Sequence, residues 1–251
     1  MAREWLLRDA GEDTIHQNYI TPQTGKEKAE NWWFHHRVKV ITGIVAAAML
    51  FSIFFSIFSK EKADYTVFLV TSYTMPTDGV NELRRCFEQY ADDRNGDGKV
   101  VVHVETYVFS DKMTESQQQF QQEQAALARF SVDLSLNDSM LVFHDDTAFQ
   151  VFAPDCFDRF FQYNDGTPIP EGATDFENAM IAWEDIPGLA SFVPQMMYGD
   201  MMVRSDSFNF LYRQLRLSVR TDVGADFDEK TQQYYEDSMA FKDRLFAGVS
   251  E

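Results

Sequence analysis

The chain of 251 residues carries 22 Lys and Arg against 40 Asp and Glu, a formal net charge of -18, with 45% hydrophobic residues. An acidic excess this large repels nucleic acid and anionic lipid, which excludes DNA and RNA as partners and suits solubility outside a cell or cationic partners. Two cysteines, Cys86 and Cys156, are too few for a disulfide scaffold, and no Cys/His cluster has zinc-ligand spacing.

Residues 1 to 31 are polar and mixed in charge and read as a flexible tail, with one short apolar feature around Trp5 to Leu7. Lys26 to Lys39 (KEKAENWWFHHRVK) then places Trp32, Trp33 and Phe34 ahead of a long apolar run, where amphipathic rings favour a lipid headgroup region. Residues 1–37 are therefore assigned as cytoplasmic tail and interfacial collar. Val40 to Phe58 (VITGIVAAAMLFSIFFSIF) contains no charged residue, and its nineteen residues span roughly 28 Å at about 1.5 Å each, the thickness of a hydrocarbon core. We expect a single transmembrane helix over residues 38–59. Lys26, Lys28, Arg37 and Lys39 outnumber Lys60 and Lys62, so the positive-inside rule places the N-terminus in the cytoplasm.

A cleaved signal peptide is the rival, but the apolar run begins late and SKEKAD offers no small-x-small cleavage site. Ala48, Ser52 and Ser56 form a small-residue row of the kind that lets two helices approach, so a homodimer through the membrane is a candidate association. His35 and His36 invite a metal or pH-sensor role; polar anchoring at an interface explains them more simply.

Residues 63–251 are expected to form one extracytoplasmic α/β domain. This stretch holds 14 basic and 33 acidic residues, a net of -19. Tyr65 to Ser72 (YTVFLVTS) is a continuous apolar, β-branched run, and Val80, Leu83, Phe87 and Tyr90 then recur at helical spacing. That helix puts Cys86 on an apolar stripe, favouring a buried thiol over a bridge. Val100 to Tyr107 reads as a second strand, Thr114 to Phe130 as a helix with Phe120, Leu127 and Phe130 on one face, and Ser139 to His144 as a third strand. Strands apolar on both faces and separated by amphipathic helices indicate a mainly parallel βαβαβ lobe covered on both sides.

From Asp64 to about Phe152 this order, with its GKVVVHV run and the short strand that opens at Asp138, resembles the beginning of a type 2 extracellular solute-binding protein. The collar and span likewise resemble those of uncharacterised membrane-anchored proteins of Gram-positive bacteria that carry such a domain. The resemblance implies a ligand held between two lobes; this chain is too short for a second, so one lobe is expected rather than a clamshell. After Phe152 the sequence reads as loop-rich, with Pro154, Pro168, Pro170 and Pro187, before a strand over Leu215 to Val219 and a final helix, Glu229 to Phe246, carrying Tyr234, Met239, Phe241 and Leu245. These two are expected to pack back onto the sheet.

Asp93, Asn95 and Asp97 in DRNGDGK match the opening of a calcium loop, in which oxygen ligands at every second position wrap a hard cation and Gly98 permits the turn. They are the candidate metal ligands, for Ca2+. The pattern is incomplete, because position twelve is Val104 where a bidentate carboxylate belongs, and a tight turn between helix and strand accounts for the same residues. Other candidates lie at the carboxyl ends of the strands, Thr71 to Thr74, Thr106 to Ser110 and His144 to Thr147, where open parallel sheets bind ligands. There His144, Asp145 and Asp146 have metal-ligating or acid-base chemistry, or form a polar loop.

Aromatic and Met residues from Phe152 to Phe210, among them Phe160, Phe161, Tyr163, Trp183, Met196, Met197, Met201 and Met202, line either a binding face or a core. No GxSxG, HExxH, P-loop or dinucleotide fingerprint occurs, so no catalytic residues and no cofactor are expected. The sequence points to a membrane-anchored binding or interaction module with a protein partner or small ligand. The alternative is a structural subunit of an envelope or membrane complex with no small ligand.

Overall fold

The computed structural model describes residues 24–58, 62–109, 117–198, 201–204 and 206–248. It divides into two units, Met1–Lys60 and Glu61–Glu251. Among its described residues the first unit forms one helix, α1 (Gly25–Phe58), of 34 residues, long and apolar enough to cross a membrane. It begins earlier than the sequence reading, which ran a flexible tail to residue 31. The cause is a reciprocal cap: the Thr24 amide donates to Glu27 Oε2 at 3.2 Å and the Glu27 amide donates to Thr24 Oγ1 at 3.3 Å. Good helix formers, Lys26 to Glu30, follow the cap. In the collar Trp32 and His36 stack at 5.2 Å, His36 Nδ1 donates to the Trp32 carbonyl, and Arg37 lies over Phe34, so His36 is engaged within its own helix. Residues 1–23 of the expected tail lie outside the described residues.

The second unit is a mixed α/β domain. Its sheet has the order β2 (Val102–Val108), β1 (Tyr65–Thr71), β3 (Leu141–His144), β7 (Arg216–Val219), β4 (Ile181–Ala182). Strands β2, β1 and β3 are parallel; β7 is antiparallel to β3 and β4 antiparallel to β7. The connection β1 to β2 runs through α2 (Thr77–Glu88) on one face. The connection β2 to β3 runs through α3 (Gln117–Ser135) on the other.

Side chains alternating along each strand feed two cores. Val67, Leu69, Leu141, Phe143, Leu217 and Val219 pack with Leu83 and Phe87 of α2, Leu189 of α5 (Pro187–Ala190), and Phe241 and Leu245 of α7 (Glu229–Ala247). Phe68, Val70 and Val142 pack with Phe130 and Leu134 of α3 and Phe149, Phe152 and Phe157 of α4 (Asp146–Phe160). Cys86 sits against the first core and Cys156 inside the second, so the sheet between them rules out a bridge from one to the other. Burial pushes the Cys86 thiol up to about 11.

Several boundaries differ from the sequence reading. The second strand starts at Val102, because Val101 is held before it by the Asp64 carboxylate, which accepts from the amides of Val101 and Asn95 at 2.9 Å each. Helix α3 continues past Phe130 to Ser135; Thr114 to Ser116 lie outside the described residues, as does the Phe120 side chain. The stretch after Phe152, expected to be loops, opens inside α4. Asp145 caps this helix, and Pro154 sits within it. Beyond α4 come two short 3-10 turns, the strand β4, α5, a separate hairpin β5 (Gln195–Tyr198) and β6 (Met201–Arg204), and α6 (Asp206–Arg213). The last strand and helix do return to the sheet, with β7 inserted beside β3 and α7 capped at Asp228 and ended by Gly248 in the left-handed region, φ 65°.

Candidate functional site at the carboxyl end of the sheet

In the order 2-1-3 the helix following β1 covers one face and the helix following β3 covers the other, so the carboxyl ends of β1 and β3 are the switch point at which such folds form a crevice. The residues singled out there, His144, Asp145 and Asp146, are consecutive but meet three different fates.

Asp145 closes the crevice. Its Oδ2 accepts from the Ser72 amide at 2.6 Å and the Ser72 hydroxyl at 3.0 Å, while Oδ1 accepts from the Ala148 amide at 2.7 Å as the cap of α4. Only 4% of the residue is exposed, and both oxygens are occupied. The loop beyond Ser72 is tied down as well. Thr71 Oγ1 donates to the Tyr73 carbonyl, and the Tyr73 hydroxyl donates to the Leu211 carbonyl at 2.8 Å and accepts from Gln214 at 2.7 Å. Burial pushes the Tyr73 phenol up to about 12. At the end of β2, Phe109 donates its amide to the Thr71 carbonyl. Ser110 lies outside the described residues.

His144 is fully buried and stacks on Phe149 with ring centroids 4.9 Å apart. Its Nε2 lies 2.9 Å from Ser218 Oγ, and that hydroxyl donates onward to the Ala179 carbonyl at 3.1 Å. Nε2 is therefore the protonated nitrogen. Nδ1 is buried with no hydrogen-bond partner among the described residues. Burial pulls the imidazole down to about 4; the Asp145 backbone and the Asp146 carboxylate oppose this, and Arg216 adds to it. The Ser-His contact resembles a nucleophile and base, but neither group meets solvent.

Asp146, by contrast, faces outward and holds Arg216 of β7, Nε to Oδ1 at 2.7 Å and a second, longer contact at 3.4 Å. This pair stands at the rim of a groove of about 530 Å³ just beyond β3. Phe149, Phe176 and Met180 supply apolar surface there, and Gln150, Thr174 and Glu177 complete the lining. A second cavity, of about 550 Å³, adjoins it through Glu177 and is lined by Tyr163, Asn164, Asp165, Thr167, Asp175 and Asn178. Hydrogen bonds from Thr167 hold the Asp165 carboxyl below its usual range, and one from the Tyr163 hydroxyl does the same for Asp175.

The calcium-like residues come together in one turn, where backbone amides take their oxygens. Asp93 accepts from Gly96 at 2.7 Å, Asp97 at 3.1 Å and Gly98 at 2.7 Å; Asn95 Oδ1 accepts from the Asp97 amide, and Asp97 Oδ1 from the Lys99 amide. Gly96 and Gly98 have positive φ, as the turn requires. No cluster of three or more His, Cys, Asp or Glu suited to a metal occurs among the described residues. The aromatic residues mostly serve the cores. Trp183 and Phe161 are buried, and Phe160 lies under the Arg220 guanidinium at 4.9 Å. The side chains of Met196, Met197, Met201 and Met202 lie outside the described residues.

Sequence reasoning missed Arg216, Ser218, Phe176 and Glu177. It also missed Arg220, 2% exposed, which donates to the Leu134 carbonyl at 2.6 Å and to Asn137 Oδ1 at 2.8 Å. These contacts close the C-terminus of α3, where Asn137 takes φ 61° in a Schellman-type ending and the helix dipole favours a cation. One signal was available: in RQLRLSVR, Arg216, Ser218 and Arg220 alternate with Leu217 and Val219, so a polar set faces one side of a central strand and needs partners there. Phe176 and Glu177 lie in a segment with no periodicity to read.

Neither a scan against protein-family models nor searches of curated proteins and of solved structures finds a match to this chain.

Proposed function

We propose that the chain is a membrane-anchored binding or interaction module, held by α1 and displaying its α/β domain on the extracytoplasmic side, with no catalysis of its own. The observation that carries this is the open groove beyond β3. Its apolar surface and exposed Asp146–Arg216 pair lie at the carboxyl end of the sheet, where open α/β folds take ligands, whereas the ionisable groups deeper in are internally satisfied or buried. A likeness to one lobe of a solute-binding protein fits this use of the strand ends. The rival, a scaffold without a small ligand, draws support from Asp145, whose carboxylate ties the ends of β1 and β3 together.

Thermal-shift screening of the full chain against sugars, amino acids, peptides and metals separates the two, with Phe176→Trp as a plug for the groove. We expect a stabilising ligand whose effect the plug abolishes. No stabilising compound, together with an indifferent plug, would favour the scaffold. Orientation is checked separately by protease added to protoplasts, which is expected to degrade the residues after Lys62 and spare a short N-terminal fragment.

A further inference from the structure

Glu177 lines both the groove beyond β3 and the neighbouring cavity, so the two lie side by side as a trough that meets at this residue, with apolar surface in the first and carboxylates in the second. Its lining includes Asp146, Asp165, Asp175 and Glu177 against one cation, Arg216, which Asp146 already holds. Asp165 and Asp175 are bound by neutral groups only, the Thr167 amide and hydroxyl for one and the Tyr163 hydroxyl and Asn178 amide group for the other, so each keeps its charge. Glu177 is exposed and has no side-chain partner among the described residues. The two spaces, about 530 and 550 Å³, lie next to each other, so an occupant of both is longer than a single small solute, and the whole domain carries a net -19 that steers cations toward it.

We propose that this trough docks a basic polypeptide segment, with an apolar side chain against Phe149, Phe176 and Met180 and a Lys or Arg at Glu177 and Asp175. The proposal rests on the groove's being the binding site and adds the chemistry of its occupant. An extended peptide places alternate side chains on one side, so a segment alternating Lys with Leu or Phe presents both kinds of group to the trough. Attraction between its cations and the lining carboxylates raises the association rate and weakens as salt is added.

The test is fluorescence anisotropy with the full-length chain in nanodiscs of zwitterionic lipid and three labelled nine-residue peptides. One alternates Lys with Leu and Phe, one carries Ser in place of Lys, and one carries Glu. We expect the Lys peptide to bind and the Glu peptide not to. Glu177→Lys should weaken the Lys peptide at least about tenfold. The same reversal at Glu236, an exposed residue of α7 outside the trough, should change it less than about twofold. Equal losses at the two positions would assign the attraction to diffuse charge and overturn the proposal. If the Ser peptide bound as well as the Lys peptide and Phe176→Ala weakened both, the groove would stand as a site and the basic partner would fall. If none of the three bound, both would fall.

Discussion

One carboxylate joins the ends of two parallel strands: Asp145, directly after β3, accepts both the amide and the hydroxyl of Ser72, directly after β1, with the oxygen opposite to the one that caps α4. Replacing it removes a helix cap, worth about 1 kcal/mol, and charge-assisted bonds worth about 1.5–3 kcal/mol. Asp145→Ala is therefore expected to lower stability by about 2–4 kcal/mol in a urea titration, and Asp145→Asn by less, since an amide oxygen still accepts. Equal midpoints for wild type and Asp145→Ala would show that the crevice does not depend on this contact.

The buried His144 makes stability depend on pH. Its folded value, about 4, lies below the ordinary 6.5, so between these values the unfolded chain binds a proton that the folded one excludes. Stability then rises with pH across this window: the contribution is complete above about pH 6.5 and is lost as pH falls toward 4, on the order of 3 kcal/mol in all. Denaturant midpoints at pH 7, 5.5 and 4.5 should fall in that order. In His144→Gln this part of the slope should flatten, whatever the variant's stability at pH 7; an unchanged slope would place the effect elsewhere.

Gly188 in α5 lies against the end of α7. Its carbonyl accepts from the Tyr90 hydroxyl at 3.2 Å, and an added Cβ would come within 2.7 Å of the Leu245 carbonyl oxygen, which belongs to backbone and moves only with the helix. Gly188→Ala is expected to cost about 1–3 kcal/mol by overpacking. Hydrogen exchange should show the loosening first in α7; uniform protection equal to wild type would mean that the contact relaxes freely.

For the Asp93 turn we expect folding without calcium. Asp93→Ala removes the acceptor for three amides that water can reach, so a loss of about 1 kcal/mol is expected, and less for Asp97→Ala. A site with Kd near 10 µM would add about 2.7 kcal/mol at 1 mM calcium. A melting shift of several degrees on adding calcium, lost in Asp97→Ala, would establish a calcium site and call for a further carboxylate to complete the shell.

What the sequence made legible was whatever a local pattern could carry. YTVFLVT and LVF are apolar on both faces because helices cover both faces of β1 and β3, and Phe241 and Leu245 repeat at helical spacing along α7. Helix α4 was obscured by Pro154, although Ala148, Phe149, Phe152, Cys156 and Phe157 hold the helical period on either side and Asp145 supplies the cap. Strand β4, two residues long, leaves no period at all, and nothing in RLSV states that it runs against β3. Of the candidate site, His144 to Asp146 were located by their place after a strand. Their separate roles were not legible, because those depend on Ser72 for Asp145, Ser218 for His144 and Arg216 for Asp146, which lie 73, 74 and 70 residues away along the chain.

The insertion of β7 beside β3 sets a timetable for the newborn chain. Strands β2, β1 and β3 can pair once residue 144 has emerged, yet the free edge of β3 waits for Arg216 to Val219, and β4, although made earlier, has nothing to pair with until then. Through that interval an apolar strand edge stands open while α1, at the front of the chain, is already complete. A holding chaperone would have most to protect during that interval.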